Sequence, residues 1–317
     1  MLTLNRRTVT LDITSTEINL LSVKGRRVVR WASAPLEPGL VQNGLVLDPT
    51  ALGRKVKRLM KASDIQSKKI VASVSGLFST CRLLRLPLLS GEQLTQEPVM
   101  QAAEAILPVP MEGLYVSWQP IGDICNNGTG PLALVVGTPQ SIIDVEMTAL
   151  RSAGVRPSIL NLKIMALIRL IPRQNALIIN METDSLDIAI IVNGIPQIMR
   201  TVALPPSMSI AGRVESVTRN LEQTVSFYNA RHSGDPIEYD WPLSLAGGWV
   251  DHSPDAVRMV QSIVPYPLTP LVMPLEYPEN LPICEYAVNI GLAVGQISVP
   301  EVVGMDEPVP DRMETGE

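Results

Sequence analysis

The chain repeats one arrangement of strands at a distance of 168 residues, measured from Asp12 to Asn180. Residues 7–33 read as three apolar strands, with a polar turn after Asp12 and a tight glycine turn before the third strand. Residues 175–204 read in the same way, with a polar turn after Asn180 and an Asn-Gly hairpin signal. The spacing is far longer than the 20 to 50 residues or so of solenoid repeats. It predicts two lobes of one architecture in tandem.

Helix signals follow each set of strands. Asp48 and Thr138 each stand before a proline, the pattern of a helix start. We predict helices over residues 49–62, 139–154, 158–170 and 209–228, and further strands over 68–75 and 81–87. The mixture predicts an α/β protein with two covered sheets.

The charge is distributed unevenly along the chain. Residues 1–85 hold 15 Lys and Arg against 5 Asp and Glu, whereas the whole chain is acidic, with a net charge of −5. Five of the basic residues fall in the predicted helix over 49–62. Because only 4% of the residues are aromatic, few side chains could stack on bases, and nucleic acid is not an expected partner. No run approaches the ~18 apolar residues of a membrane span, so we expect a cytoplasmic protein.

The common catalytic motifs are absent from the sequence. It contains no GxSxG elbow, no GxxxxGK[ST] loop and no GxGxxG after a strand, which excludes hydrolase-triad, P-loop and Rossmann interpretations. The two histidines, His232 and His252, lack a second ligand at helical or loop spacing, so a histidine metal site is not expected.

The remaining candidates are polar or glycine-rich turns at strand ends. Such a turn can direct backbone N–H groups at phosphate oxygens, a carboxylate beside it can hold hydrated Mg²⁺, and a Gly-Gly pair lets the backbone lie flat against a nucleotide. The candidate nucleotide-binding residues are Asp12, Thr14, Ser15, Thr16, Asn180, Gly247 and Gly248, with Asp12 as the magnesium ligand. The alternatives are a hairpin tip that satisfies its own backbone groups and a tight strand-to-helix turn at the glycines.

A strand-Asp-turn-strand, its second copy and a later strand-Gly-Gly occur in the order seen in actin-like ATPases. Within that superfamily the chain resembles the PilM family of type IV pilus assembly proteins, over about residues 8–297. The segments that carry the resemblance are VTLDITSTEINLLSV, LEPGLVQNGLVLD, CRLLRLPLLSGEQL, AILPVP, LRSAGVRPSILNLKIMALIR, LEQTVSFYNA, LSLAGGWV and AVNIGLAVG.

The resemblance implies an actin-like α/β fold, built of duplicated RNase H-like lobes with a small subdomain inserted in lobe one. The implied organisation is lobe one at 1–75 and 136–170, the inserted subdomain at 76–135, and lobe two at 171–300. Residues 301–317 hold six acidic residues and one basic residue and are expected to form a disordered acidic tail.

The resemblance also implies a function. Family members are cytosolic components of pilus machines, and their partner is the tail of a PilN-like membrane protein, which lies in a groove between lobe one and the inserted subdomain. We therefore expect a scaffold at the inner face of the cell membrane, associated with it through that partner and with the pilus motor and assembly proteins. ATP with Mg²⁺ is the cofactor that the superfamily implies.

The sequence departs from the family at both phosphate turns, which makes it a degenerate member. Asp-Ile-Gly is usual there, whereas this chain has Asp12-Ile13-Thr14 and Asn180-Met181-Glu182. The second turn also brings negative charge toward the expected phosphates, so we expect little hydrolysis. The alternatives are an active actin-like ATPase, which should carry an acid at position 180, and a filament-forming division protein of the FtsA type, which should end in an amphipathic helix.

Overall fold

The computed structural model describes residues 7–86, 95–121 and 130–296, so the predicted acidic tail, 301–317, lies outside the described residues. The strands are β1 (Arg7–Ile13), β2 (Glu17–Lys24), β3 (Arg27–Pro35), β4 (Val41–Gln42), β5 (Leu45–Val46), β6 (Lys69–Val74), β7 (Thr80–Arg85), β8 (Leu114–Ile121), β9 (Leu132–Pro139), β10 (Arg156–Leu162), β11 (Ala176–Met181), β12 (Ser185–Val192), β13 (Ile195–Ala203) and β14 (Leu243–Ala246). The helices are α1 (Pro49–Ala62), α2 (Gln96–Ile106), α3 (Gln140–Ser152), α4 (Lys163–Ile168), α5 (Ile210–Arg231), α6 (Gly248–His252), α7 (Pro254–Ile263) and α8 (Ala287–Val294). Within the described ranges, no helix has the length and apolar character needed to span a bilayer.

The two sets of repeated strands form two different sheets, as the repeat predicts. Strands β1, β2 and β3 belong to a five-stranded sheet in the order β10-β6-β1-β2-β3, and β11, β12 and β13 to a four-stranded sheet in the order β13-β12-β11-β14. In both sheets the first strand pairs antiparallel with the second and parallel with a later strand, β6 or β14. The outer edges of the two sheets differ. In the first sheet β6 is followed by the full strand β10, whereas in the second sheet β14 has beside it only a single parallel bridge, from Leu243 to Leu268.

The predicted hairpin at Asn193-Gly194 connects β12 to β13. Both residues have positive φ, 52° at Asn193 and 73° at Gly194, as a type I′ turn requires. The turn chemistry read from the sequence therefore sets the register of this hairpin.

The helix predicted over residues 158–170 is wrong in its first part. Residues Arg156–Leu162 form β10, and only Lys163–Ile168 are helical. Strand β10 pairs in parallel with β6, a partner about 90 residues earlier in the chain, and these tertiary hydrogen bonds override the local helical pattern. As a result Lys163 follows directly on the carboxyl end of β10, an edge strand of the five-stranded sheet.

A third sheet, in the order β7-β9-β8, carries α2 on one face. Its strands β8 and β9 were not predicted. They fall largely within the proposed inserted subdomain, 76–135, although β9 runs to Pro139 and crosses the proposed boundary. The domain boundaries remain a prediction.

Helices α4 and α8 pack together where the first two sheets meet. One apolar core contains residues of both sheets, such as Leu21 and Ile178, together with Ala166 of α4 and Ile290 of α8. The helices are so close that a Cβ added to Gly291 would lie 2.0 Å from the carbonyl oxygen of Ala166. The two lobes therefore share a continuous core at this end of the cleft.

Candidate functional site

A cavity of about 210 Å³ lies between the two repeated turns. Ser15 is the one predicted nucleotide-binding residue that does not line it. The other predicted residues do: Asp12, Thr14, Thr16, Asn180, Gly247 and Gly248. The sequence repeat thus brings together at one place residues that are up to 236 positions apart.

Asp12 and Asn180 occupy equivalent places in the two sheets. Each is the residue before the last of its strand, β1 or β11. Asp12 lies opposite Asn19 on β2, whereas Asn180 lies opposite Asp187 on β12. The acid and the amide are therefore exchanged between neighbouring strands in lobe two. Sequence comparison of the turns alone missed Asp187, because the pairing register becomes known only in the sheet.

The ammonium group of Lys163 lies between the two turns and is bound by both. Its Nζ is 3.1 Å from Oδ1 of Asp12, donates to the carbonyl oxygen of Ile13 at 2.9 Å, and donates to Oε1 and Oε2 of Glu182 at 2.8 and 3.0 Å. Burial by itself would lower the pKa of Lys163, but the charges of Asp12 and Glu182 outweigh burial and raise it. Lys163 is therefore a cation in the folded protein.

The acidic partners of Lys163 are held by further polar groups. The hydroxyl of Ser73 donates to Asp12, and the side-chain amide of Asn180 donates to Glu182 at 3.3 Å. Burial raises the pKa of Glu182, whereas the nearby Lys163 ammonium acts in the opposite direction. Such a buried network is favourable only when its charges and hydrogen bonds are matched.

The two turns also contact each other directly across the cleft. Ser15 donates a hydrogen bond to the Asp184 carboxylate, and the hydroxyls of Thr16 and Thr183 lie 3.3 Å apart. The backbone N–H of Asn43, in the turn between β4 and β5, donates to Oδ2 of Asp184 at 2.6 Å. Side chains and backbone of lobe one thus hold the second turn at the place where the sequence predicted phosphates.

The Gly-Gly pair has a structural requirement of its own. Gly247 has a φ of 98°, and a Cβ added there would lie 2.2 Å from the carbonyl oxygen of Met181. Glycine is therefore needed at 247 to let β14 turn into α6 beside the end of β11.

Part of the cavity lining is acidic. Glu17 and Glu285 line it, and His252 lies with Nε2 3.6 Å from Oε2 of Glu285. Burial, together with the negative charge of Glu17, raises the pKa of Glu285 to about 7, although His252 acts in the opposite direction. A cavity with these walls favours hydrogen-bond donors and cations over anions.

The residues that line this cavity do not fit a nucleoside triphosphate with Mg²⁺. The carboxylate of Asp12 already holds the ammonium of Lys163, and Glu182 shares that ammonium. The second turn is in contact with the first, because its Asp184 carboxylate accepts hydrogen bonds from Ser15 and from the backbone N–H of Asn43. A cavity of about 210 Å³ is also smaller than the ~300 to 1,000 Å³ usual for small-molecule sites.

Sequence reasoning did not single out Lys163. The signal was present, because Lys163 is the one charged residue in the run ILNLKIMALI, residues 159–168, in which Asn161 is the only other polar residue. A lysine in such a run is buried only if it is paired.

A second concave surface lies between the third sheet and the first. This groove, of about 210 Å³, has a mainly apolar lining to which edge strands of both sheets contribute, β8 and β10. Its lining residues are Val74, Tyr115, Val116, Ser117, Val136, Thr138, Ile143, Leu160, Asn161 and Leu162. We call it the β8–β10 groove.

Comparison with known proteins identifies the family. The family described as type IV pilus assembly protein PilM matches residues 10–205, more than half of the chain. The chain belongs to the PilM family. The predicted family membership is thereby confirmed.

A solved structure confirms the predicted actin-like fold. The PilM protein of a PilM-PilN type IV pilus biogenesis complex matches with a TM-score of 0.78 at 20% identity, over 92% of this chain and 99% of that chain. The cytoplasmic domain of EpsL, from the type II secretion system of Vibrio cholerae, matches with a TM-score of 0.49 at 13% identity, over 92% and 95% of the two chains. The ethanolamine utilization protein EutJ of Carboxydothermus hydrogenoformans matches with 0.48 at 12% identity, over 91% and 89%.

Proposed function

We propose that this chain is a cytoplasmic scaffold of a type IV pilus, or of a related secretion or competence machine. It binds the cytosolic tail of a PilN-like inner-membrane protein and links that protein to the motor and assembly proteins. The observation that carries the proposal is membership of the PilM family over residues 10–205. The structural relative with a TM-score of 0.78 comes from a complex of PilM with PilN, which suggests the kind of partner.

The β8–β10 groove is the proposed binding surface for the tail. Strand β10 has one neighbour, β6, and β8 has one neighbour, β9, so among the described residues each offers a free edge for main-chain hydrogen bonds. Val116 and Leu160 are half-buried and supply apolar contacts. An extended peptide that pairs with a strand edge and places alternate side chains in pockets is a recurring mode of recognition.

A peptide titration tests this surface. Synthetic tails of PilN-like proteins encoded beside this chain are labelled, and binding is followed by fluorescence anisotropy. Val116→Asp places a charge in the apolar groove, and we expect it to weaken binding by about tenfold or more, which is about 1.4 kcal/mol. Val29→Asp is the matched control, because Val29 is an exposed valine of β3 that does not line the groove.

The outcomes are distinct. If no tail binds the wild-type protein, or if Val116→Asp binds as well as Val29→Asp, the groove is not the partner site. Binding of a tail with and without ATP supports a scaffold whose contact with its partner does not depend on nucleotide.

We also propose that ATP hydrolysis is absent or very slow. Hydrolysis requires a bound metal ion and a positioned water, whereas Asp12 and Glu182 are engaged by Lys163. In a steady-state phosphate-release assay we expect wild-type protein and Asp12→Ala to give the same background rate. Turnover that Asp12→Ala abolishes would favour the alternative, an active actin-like ATPase.

We propose that the membrane-anchored partner brings this chain to the membrane, and that the basic residues of α1 strengthen the association. This helix carries five Lys and Arg and no acidic residue within Pro49–Ala62. Near an anionic leaflet each exposed basic side chain contributes about 1 kcal/mol. We expect sedimentation with vesicles that contain anionic lipid to decrease in the variant Lys57→Glu/Lys61→Glu, and an unchanged sedimentation would remove α1 from this proposal.

A further inference from the structure

The Lys163 ammonium lies where oxygen atoms of both lobes converge. Asp12 and the Ile13 carbonyl belong to β1, in the first sheet, and Glu182 follows β11, in the second. The four oxygens lie between 2.8 and 3.1 Å from Nζ. Carboxylate and carbonyl oxygens are also the ligands of Mg²⁺ and other hard divalent cations. An ammonium group at this point therefore competes with any such ion for the same oxygens.

We propose that Lys163 is a built-in cation, which takes the place of a divalent metal ion and ties the two lobes together without nucleotide. Lys163 is joined covalently to β10 of the first sheet, and its bonds to Glu182 cross to the second. A metal ion and its nucleotide can leave a cleft, whereas a lysine side chain cannot. The closed arrangement of the lobes is therefore a fixed property of this chain.

Contacts between the two turns support this inference independently of the lysine. The pairs Ser15–Asp184 and Thr16–Thr183 join the two turns directly. The Asp184 carboxylate also accepts from the backbone of Asn43, so it is held from two loops of lobe one. Protein atoms alone complete the contact between the turns.

The charge balance supplies the test. Asp12, Glu182 and Asp187 are all buried, and the charge of each acts on Lys163. Removing the ammonium would leave these carboxylates without their shared counter-charge, which is strongly unfavourable in a buried site. A divalent cation should then bind where it is excluded from the wild-type protein.

The experiment measures thermal unfolding of the full chain with and without MnCl2, at matched ionic strength. Lys163→Met removes the charge and keeps an unbranched side chain. We expect its Tm to fall by roughly 6 °C or more, and MnCl2 to restore about half of the loss or more, because an ion that binds the folded state stabilises it. The Tm of the wild-type protein and of the control Lys57→Met, which changes an exposed lysine of α1, should not respond to MnCl2.

Two results would overturn the proposal. A rise of the wild-type Tm with MnCl2 as large as that of Lys163→Met would mean that the lysine does not fill the cation position. An unchanged Tm in Lys163→Met without a response to MnCl2 would mean that the lysine does not tie the lobes. If Lys163→Met does not fold, electron paramagnetic resonance of Mn²⁺ added to the wild-type protein tests whether the cation position is already filled. Persistence of the free-ion signal is expected, and its loss at equimolar protein would contradict the inference.

Discussion

Replacement of Glu146 by Gln should change how stability depends on pH. Glu146 lies on α3, the residue is 5% exposed, and Oε1 has no hydrogen-bond partner among the described residues. Burial is the largest influence on the pKa of Glu146, and burial with the charge of Asp12 outweighs the lowering effect of the Lys163 ammonium, so the pKa rises from an ordinary value of 4.5 to about 8. The folded protein therefore favours the neutral, protonated carboxyl group.

The sign and the size of the effect follow from this pKa. Because the folded value lies above the unfolded one, the folded state holds the extra proton between about pH 4.5 and pH 8. The free energy of unfolding therefore decreases as the pH rises through this window, by at most about 1.4 kcal/mol per pH unit. From 4.5 to about 8 the limit is roughly 5 kcal/mol, reached above the folded pKa.

Glutamine resembles the protonated carboxyl group in shape and carries no charge at any pH. We therefore expect Glu146→Gln to match the wild type near pH 5 and to be more stable above pH 8, by up to about 5 kcal/mol. The assay is urea unfolding followed by circular dichroism at pH 5, 7 and 8.5. The control is Glu215→Gln, at an exposed position of α5.

Parallel stability curves for the wild type and Glu146→Gln across this range would refute the reasoning. They would mean that Glu146 is ionised in the folded protein at neutral pH, with a partner for its charge. If Glu146→Gln raised the free energy of unfolding by the same amount at pH 5 and at pH 8.5, the added stability would come from packing and not from the loss of the charge.

Two glycine substitutions test the close approaches that hold the lobes and the cleft. Gly247→Ala should destabilise the protein by about 2 kcal/mol or more, because the new Cβ would lie 2.2 Å from a backbone carbonyl at a φ of 98°. Gly291→Ala should also lower the Tm, despite the better helix propensity of alanine, because α4 lies 2.0 Å from the new Cβ. Gly113→Ala, with nothing within 4 Å of the Cβ, is the control for both. A loss of stability no larger than that of the control would contradict the packing described here.

The local elements were predictable because short-range patterns specify them. The Asn193-Gly194 turn follows from the residues that tolerate positive φ. The start of α1 follows from Asp48, whose side chain accepts a hydrogen bond from the Ala51 N–H at 2.8 Å. The duplication was visible because both lobes use the same order of apolar strands and polar turns, and that order implied that Asp12 and Asn180 would lie at one cleft.

Strand β10 and the charge network could not be read from such patterns. Arg156–Leu162 is a strand because β6 offers a parallel edge, which is a property of the assembled sheet. Asp187 replaces the acid missing at Asn180 only because the register of β11 with β12 places the two opposite each other. Sequence periodicity does not encode this exchange between neighbouring strands.

The sequence by itself determined the family, the two-lobed fold and six of the fourteen residues that line the cleft. The tertiary structure decided what the cleft holds, because Lys163 meets Ile13 from 150 residues away and Glu182 from 19 residues away. The strength of such an ion pair depends on distance and on the exclusion of water, and both are fixed only when β10, α4 and the two turns come together. Local propensity specifies the strands and turns that carry these charges, while packing determines which charges neutralise one another.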